Sequence, residues 1–209
     1  MLQVLTGVQA EPIKSTLPKE LGILVNDLSS DPPTHMLALY SRHPPEKTTI
    51  RRSVTLFPTH NIVLAAHCAN LPQLPQSNPA CPKKAGEKIT LPIIPLCIPS
   101  PQTFPQLSAY LYTKNATSLL TSLFSTRPPL SLSLEEARTV NQFAGKLAGT
   151  YTTQALLHQI MMVNGIWRNV CALGVFDDAL WDAMDVAWET LLTALGFATG
   201  NPQAMSDNS

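Results

Sequence analysis

Proline limits how this chain can fold more than any other feature. There are 19 prolines, 18 at or before residue 129 and one at 202, so residues 130–201 contain none. Proline removes a backbone donor and clashes with the preceding turn of a helix. The first 129 residues are thereby restricted to short elements and loops, while the proline-free stretch has room for long helices. Charge divides at the same place. Residues 1–129 carry 11 Lys/Arg against 6 Asp/Glu, and residues 130–209 carry 3 against 8, which makes the halves +5 and −5 in a chain of zero net charge. Such an asymmetry steers docking where the faces are exposed, and it is ordinary solvated charge where salt screens it beyond ~8 Å.

Between its prolines the N-terminal part offers a series of short segments. LGILVND (21–27) is an apolar run that suits a strand or a helical turn. Pro32-Pro33 and Pro44-Pro45 bracket a stretch with room for one short element. SVTLF (53–57) is β-rich and expected to stop at Pro58, and IVLAA (62–66) suits a short buried helix, giving strand, turn, helix. Residues 71–88 form a polar, proline-rich loop. In ITLPIIPLCIP, prolines at 92, 95 and 99 interrupt β-branched residues, which predicts an edge strand or an extended segment. SPQTFPQLSAYLYTK begins with Ser100 as N-cap and Pro101 at the first helical position, where a missing N–H costs nothing. Phe104, Leu107 and Leu111 make an apolar stripe there, with Tyr110 one position round and directed toward the surface. A short helix, ATSLLTSLF, follows. The N-A-T at Asn115 matches a glycosylation sequon, but no secretion signal accompanies it.

The second half reads as three helices. Ser131 or Ser133 before Leu134-Glu135-Glu136 predicts a capped helix with an acidic first turn, continued by Val140, Phe143, Ala144 and Leu147 and weakened at its end by Gly145 and Gly149. The next, 152–173, carries Leu156, Leu157, Ile160, Met161, Val163, Trp167, Val170 and Cys171 around much of its circumference, a pattern that predicts burial. Gly174 ends it. Asp177-Asp178 start a third, in which Trp181, Met184, Trp188, Leu191 and Leu195 run beside an acidic stripe of Asp178, Asp182, Asp185 and Glu189.

These segments carry two resemblances. A strand, the helix of FPTHNIVLAAHC, a second strand and the helix of SPQTFPQLSAYLYTK resemble the central pattern of the BTB/POZ interaction domain over residues 50–125. Together, VTLFPTHNIVLAAHCANLP, LPIIPLCIPSPQTFPQLSAYLYTK and the tryptophan-containing helical tail are similar to the clampless proteins of basidiomycete fungi, regulators of clamp-cell formation in the dikaryon. What this implies is an α+β fold: a proline-rich segment with short elements (1–49), a BTB/POZ-like core of short strands and helices (50–129), an all-helical C-terminal part packed on that core (130–200) and a disordered tail (201–209). Phe57, Val63, Leu64, Phe104, Leu107, Leu111, Tyr112 and Trp167 are the expected core. The long loop at 71–88, the prolines of the second strand and the lack of an evident N-terminal dimerisation helix depart from BTB/POZ, which leaves homodimerisation open.

Few residue patterns speak for chemistry. His60, His67 and Cys68, with Cys81 and Cys97 downstream, are ligand types for zinc, yet no Cys-x-x-Cys or His-x₃₋₅-His pair is present. With Cys171, the cysteines read as free thiols at irregular spacing. The four carboxylates at 178–189 share one helix face, where solvated charge is the usual meaning. No Gly-rich phosphate loop or Gly-x-Ser-x-Gly occurs, and neither a cofactor nor catalysis is expected. Arg51-Arg52 and Lys83-Lys84 are two separate basic pairs, too little for a nucleic-acid face. No apolar run reaches the ~18 residues of a membrane span, and the opening lacks a basic region before an apolar one, so an intracellular, cytoplasmic or nuclear protein without membrane contact is expected. Charged residues are only 13% of the chain, about half the usual share, and a neutral surface of that kind seeks partners.

The leading reading is therefore a non-enzymatic interaction protein of fungal sexual development, acting in clamp-cell formation and dikaryon maintenance. The resemblance implies protein partners, among them transcriptional regulators such as mating-type homeodomain proteins. Trp181 and Trp188 with Asp182, Asp185 and Glu189 are the candidate partner-binding residues, because aromatic anchors beside a charged rim characterise interface hot spots. The competing reading of both tryptophans is plain core. Two further readings are a BTB-like substrate adaptor of a cullin-type ubiquitin ligase and a cysteine-dependent hydrolase using Cys68 and His158.

Overall fold

The computed structural model describes residues 8–10, 17–41 and 54–200. Arg51-Arg52 and the tail 201–209 lie outside them. The chain divides into two compact units, one of Met1–Thr113 with Arg168–Phe176, the other of Lys114–Trp167 with Asp177–Ser209.

In the first unit the short segments between prolines are mostly strands. β1 (Val8–Ala10), β2 (Glu20–Val25), β3 (His35–Tyr40), β4 (Val54–Thr59) and β5 (Glu87–Cys97) form one sheet in the order β1-β4-β3-β5-β2. β4 does not stop at Pro58 but runs through it to Thr59. Among the described residues the partner of β4 beyond Leu56 is β3, so there the missing N–H of Pro58 leaves no second strand short of a donor. β5 lies inside the sheet, contrary to the edge position its prolines predict. Its residues 87–92 pair antiparallel with β2 and residues 93–97 pair parallel with β3. Among the described residues each half of β5 is thus partnered on one side, and Pro92 and Pro95 occupy a strand that is locally an edge.

Alternation along the strands sorts the core into two faces. Met36, Ala38, Ile89, Leu91 and Ile93 cluster on one, with Leu21, Ile23, Val54 and Leu56 against them. On the other face Phe57, opposite Leu37 in the ladder, meets Phe104 edge to face with ring centroids 5.1 Å apart, a pairing worth about 0.5–1.5 kcal/mol beyond the area it buries. Phe104 begins α2 (Phe104–Thr113), which follows α1 (Asn61–His67) and a 3₁₀ turn, Pro101–Thr103. The helix–strand–helix order expected here is present as α1, β5 and α2. Phe57, Val63, Leu64, Phe104, Leu107 and Leu111 are all buried, and Tyr112 is half-buried. Tyr110 is buried rather than directed outward, since it follows Leu107 by three residues and so lies on the same helix face.

Ser100 begins the turn, but its side chain makes no capping bond. Asn169, fully buried, takes over: its Oδ1 accepts from the Ser100 N–H at 2.9 Å, and its Nδ2 donates to the Ser100 carbonyl at 2.7 Å and to Thr103 Oγ1 at 3.0 Å. Asn169 lies in the last turns of α5 (Thr153–Leu173), whose residues from Arg168 onward belong to this unit. Gly174, at φ +63°, ends that helix, and a Cβ there would come 2.9 Å from Asn70 Nδ2.

The second unit holds α3 (Ala116–Phe124), α4 (Ala137–Thr150), α5 up to Trp167, and α6 (Asp178–Thr199). Asn115, the sequon residue, caps α3 by accepting from the Ser118 N–H at 2.9 Å. α4 starts at Ala137, so Glu135 and Glu136 precede it instead of forming an acidic first turn; Glu136 accepts from the Thr139 hydroxyl at 2.9 Å. Phe124 and Phe143 join α3 to α4 edge to face at 5.1 Å. Asp177 starts α6, accepting from the Leu180 N–H and pairing with Lys114 at 2.7 Å. Among the described residues no helix is long and apolar enough to cross a membrane.

Candidate functional site

The long proline-free helices α5 and α6 line a concavity of the second unit. On α5, Val163, Asn164 and Trp167 fall at spacings of one and four; on α6, Met184, Asp185 and Trp188 do the same, so each helix offers one patch of adjacent side chains. These six residues line a pocket of about 330 Å³. Its walls are two indoles, a thioether and a valine, and its polar groups are one amide and one carboxylate.

Trp167 is the main departure from the expected core. It is 46% exposed, and Leu157, Met161 and Cys171 of α5 are exposed as well. The helix is apolar nearly all round but is covered on one side only, through Leu156, Ile160, Val163, Ile166 and Val170. Burial was expected from composition around the circumference, and what decides it is how many neighbours pack against the helix. Trp188 is half-buried and Asp185 exposed. Neither Asp185 nor Asn164 has a side-chain hydrogen bond or ion pair among the described residues. Trp181 is half-buried and Asp182 and Glu189 exposed on α6, outside the pocket lining. Trp181 precedes Trp188 by seven residues, roughly 10 Å along the axis. Of the five candidate binding residues, the pocket therefore brings together Asp185 and Trp188, and adds Trp167, Asn164, Met184 and Val163. The missed signal was the pairing of two tryptophans on different helices.

The first unit engages its buried histidines internally. His60 is buried; its Nε2 lies 3.2 Å from the Asp31 carbonyl and its Nδ1 2.7 Å from the Tyr112 hydroxyl, which also accepts from the His60 backbone N–H at 3.0 Å. A carbonyl can only accept, so Nε2 carries the proton and the Tyr112 O–H donates to Nδ1. Burial pushes the Tyr112 phenol up from its ordinary value. His35 is held in the same way, between the Pro75 carbonyl and the Thr34 hydroxyl, both at 2.9 Å. Cys68 is buried at the end of α1, where its backbone bridges to Val175. Cys81 and Cys171 are exposed, Cys97 is half-buried, and no disulfide joins the four cysteines. Among the described residues, no three His, Cys, Asp or Glu side chains converge as metal ligands do.

A mixed α+β unit with a sealed aromatic core and a helical unit with an open aromatic pocket define the class of protein. Comparison with known families gives the particular one. The Clampless protein 1 N-terminal domain matches residues 1–99 and the Clampless protein 1 C-terminal domain matches residues 117–209. The chain belongs to the clampless protein family. It is similar to "Clampless protein 1" of Cryptococcus neoformans var. neoformans serotype D, strains JEC21 and B-3501A, each 29% identical over 120 residues, 57% of this chain. The match spans 22% of the length of each of those relatives. No solved structure matches.

Proposed function

We propose that this chain is a non-enzymatic interaction protein that regulates clamp-cell formation by binding other regulators, and that its binding face is the α5/α6 pocket. The observation that carries the reading is the pocket itself: two tryptophans, one of them 46% exposed, beside a carboxylate with no partner among the described residues. Large aromatics are enriched where proteins bind one another, and leaving them open to solvent is unfavourable without a partner to cover them. Family membership supplies the developmental setting. Residence in cytoplasm or nucleus, with transcriptional regulators as partners, belongs to the same proposal. The test is affinity purification of the tagged chain from hyphae forming clamp cells. Transcriptional regulators among the captured proteins are expected; recovery of the chain without any protein partner would overturn the reading.

A second reading is a BTB/POZ-like adaptor of a cullin-type ubiquitin ligase. It is favoured by the order α1, β5, α2 and by Ile62 of α1, which is 65% exposed within the segment such an adaptor would present. Its mark in the same purification is a cullin scaffold.

A further inference from the structure

The pocket's chemistry narrows what it receives. Its volume of about 330 Å³ is at the small end of the ~300–1,000 Å³ typical of ligand pockets, room for one long side chain rather than a cofactor. Indole faces are the strongest aromatic partners of a cation, and they act within ~6 Å of the ring centroid. Here Trp167 and Trp188 supply two indoles, and Asp185 adds a charge that nothing else among the described residues neutralises. Charge in the surroundings has the same sign: Asp178, Asp182 and Glu189 are exposed along α6, and residues 130–209 carry 8 acids against 3 bases. An anionic guest would be repelled. A purely apolar guest would leave the Asp185 carboxylate desolvated and unpaired, which is unfavourable.

We propose that the α5/α6 pocket receives the cationic side chain, arginine or lysine, of a basic segment in a partner protein, held between Trp167 and Trp188 and paired with Asp185. The apolar stem of such a side chain fits the Val163 and Met184 walls while its head reaches the carboxylate. This deepens the interaction reading and rests on it for biological meaning, but its chemistry can be tested alone.

The experiment is a titration of the full chain, labelled at its indole nitrogens, with N-acetyl-arginine amide and N-acetyl-lysine amide, followed by NMR, with the uncharged N-acetyl-norleucine amide as control. The three indole N–H signals are an internal standard, since Trp181 does not line the pocket. Saturable shifts of the Trp167 and Trp188 signals with the cationic amides, a still Trp181 signal and at least about tenfold weaker binding of norleucine amide are expected. Asp185→Asn should weaken the cationic amides by a similar factor; the exposed position makes loss of the fold no explanation, and the unchanged Trp181 signal checks it. Equal shifts with norleucine amide would assign the pocket to an apolar side chain and overturn the proposal, as would absence of saturable shifts up to the solubility of the amides. If the purification above yields partners that Asp185→Asn still captures, the cation proposal fails while the interaction reading stands. If saturable cation binding is found without any protein partner, the reverse holds.

Discussion

The two units treat aromatic and polar side chains differently. In the first, Phe57 and Phe104 are sealed against each other, and the buried polar groups of His35, His60 and Asn169 are spent on neighbouring carbonyls, hydroxyls and N–H groups. The second has a sealed pair too, Phe124 with Phe143, but leaves Trp167 and Trp188 at a pocket with Asp185 and Asn164. A buried polar group left without a partner costs about 1–3 kcal/mol, so pairing is the rule for groups that serve the fold, as at His35, His60 and Asn169, although Ser108 Oγ and Thr190 Oγ1 are buried without a partner among the described residues. Groups that remain unpaired at a concavity are available to a guest. On the proposed reading, the difference separates side chains that build the protein from those that meet a partner.

The sharpest way to break this comparison is to truncate one aromatic from each side of it. Phe57→Ala is expected to destabilise by about 3–5 kcal/mol, as loss of a fully buried phenylalanine does, measured by chemical denaturation. Trp167→Ala, at a half-open position, is expected to lie at the other end of the scale. Next in size is Asn169→Ala, which strips partners from the Ser100 N–H and carbonyl and from Thr103. A cost of about 3 kcal/mol follows from two or more buried groups left unsatisfied. Asn169→Asp, which keeps the acceptor and loses the donor, should recover only part of it.

Tyr112→Phe removes the hydroxyl that joins His60 Nδ1 and the His60 N–H, with an expected cost of about 1–2 kcal/mol. It also tests the sign of a pH effect. The folded phenol titrates above its unfolded value of 10.0 because burial disfavours the phenolate. Its contribution to stability is therefore complete below pH 10.0 and lost as pH rises through the folded value. Stability should fall at alkaline pH in the native chain, and less steeply in Tyr112→Phe. The smallest change is Trp167→Ala, expected to cost less than about 1 kcal/mol in the free protein because 46% of the side chain already faces water. A cost like that of Phe57→Ala would place Trp167 with the fold and erase the contrast.

Much of the fold was legible from where proline permits regular structure. The strands at 20–25 and 35–40 and the long helices of the proline-free half fall between its breaks, whereas the strand at 54–59 runs through Pro58. Sheet order was not legible, because β5 carries the prolines of an edge strand and is placed centrally by switching partner at Ile93. The cap of the 3₁₀ turn was hidden for a similar reason. Ser100 has the local chemistry of an N-cap, yet its N–H and carbonyl are bound by Asn169, 69 residues away. The pocket was half visible. Trp188 and Asp185 stood out on one helix, whereas Trp167 looked like core, since a helix apolar all round shows no preferred face in sequence. Only the packing of its neighbours shows which side stays open.

The central claim, that this protein works by binding through the α5/α6 pocket, is tested most directly in a clamp-forming basidiomycete whose own copy has been deleted. The strain is complemented with the native chain or with Trp167→Ala combined with Asp185→Asn, at matched protein levels, and clamp cells are counted. The account predicts restoration by the native chain and loss of clamp cells with the double variant. Normal clamp formation with the double variant would contradict it.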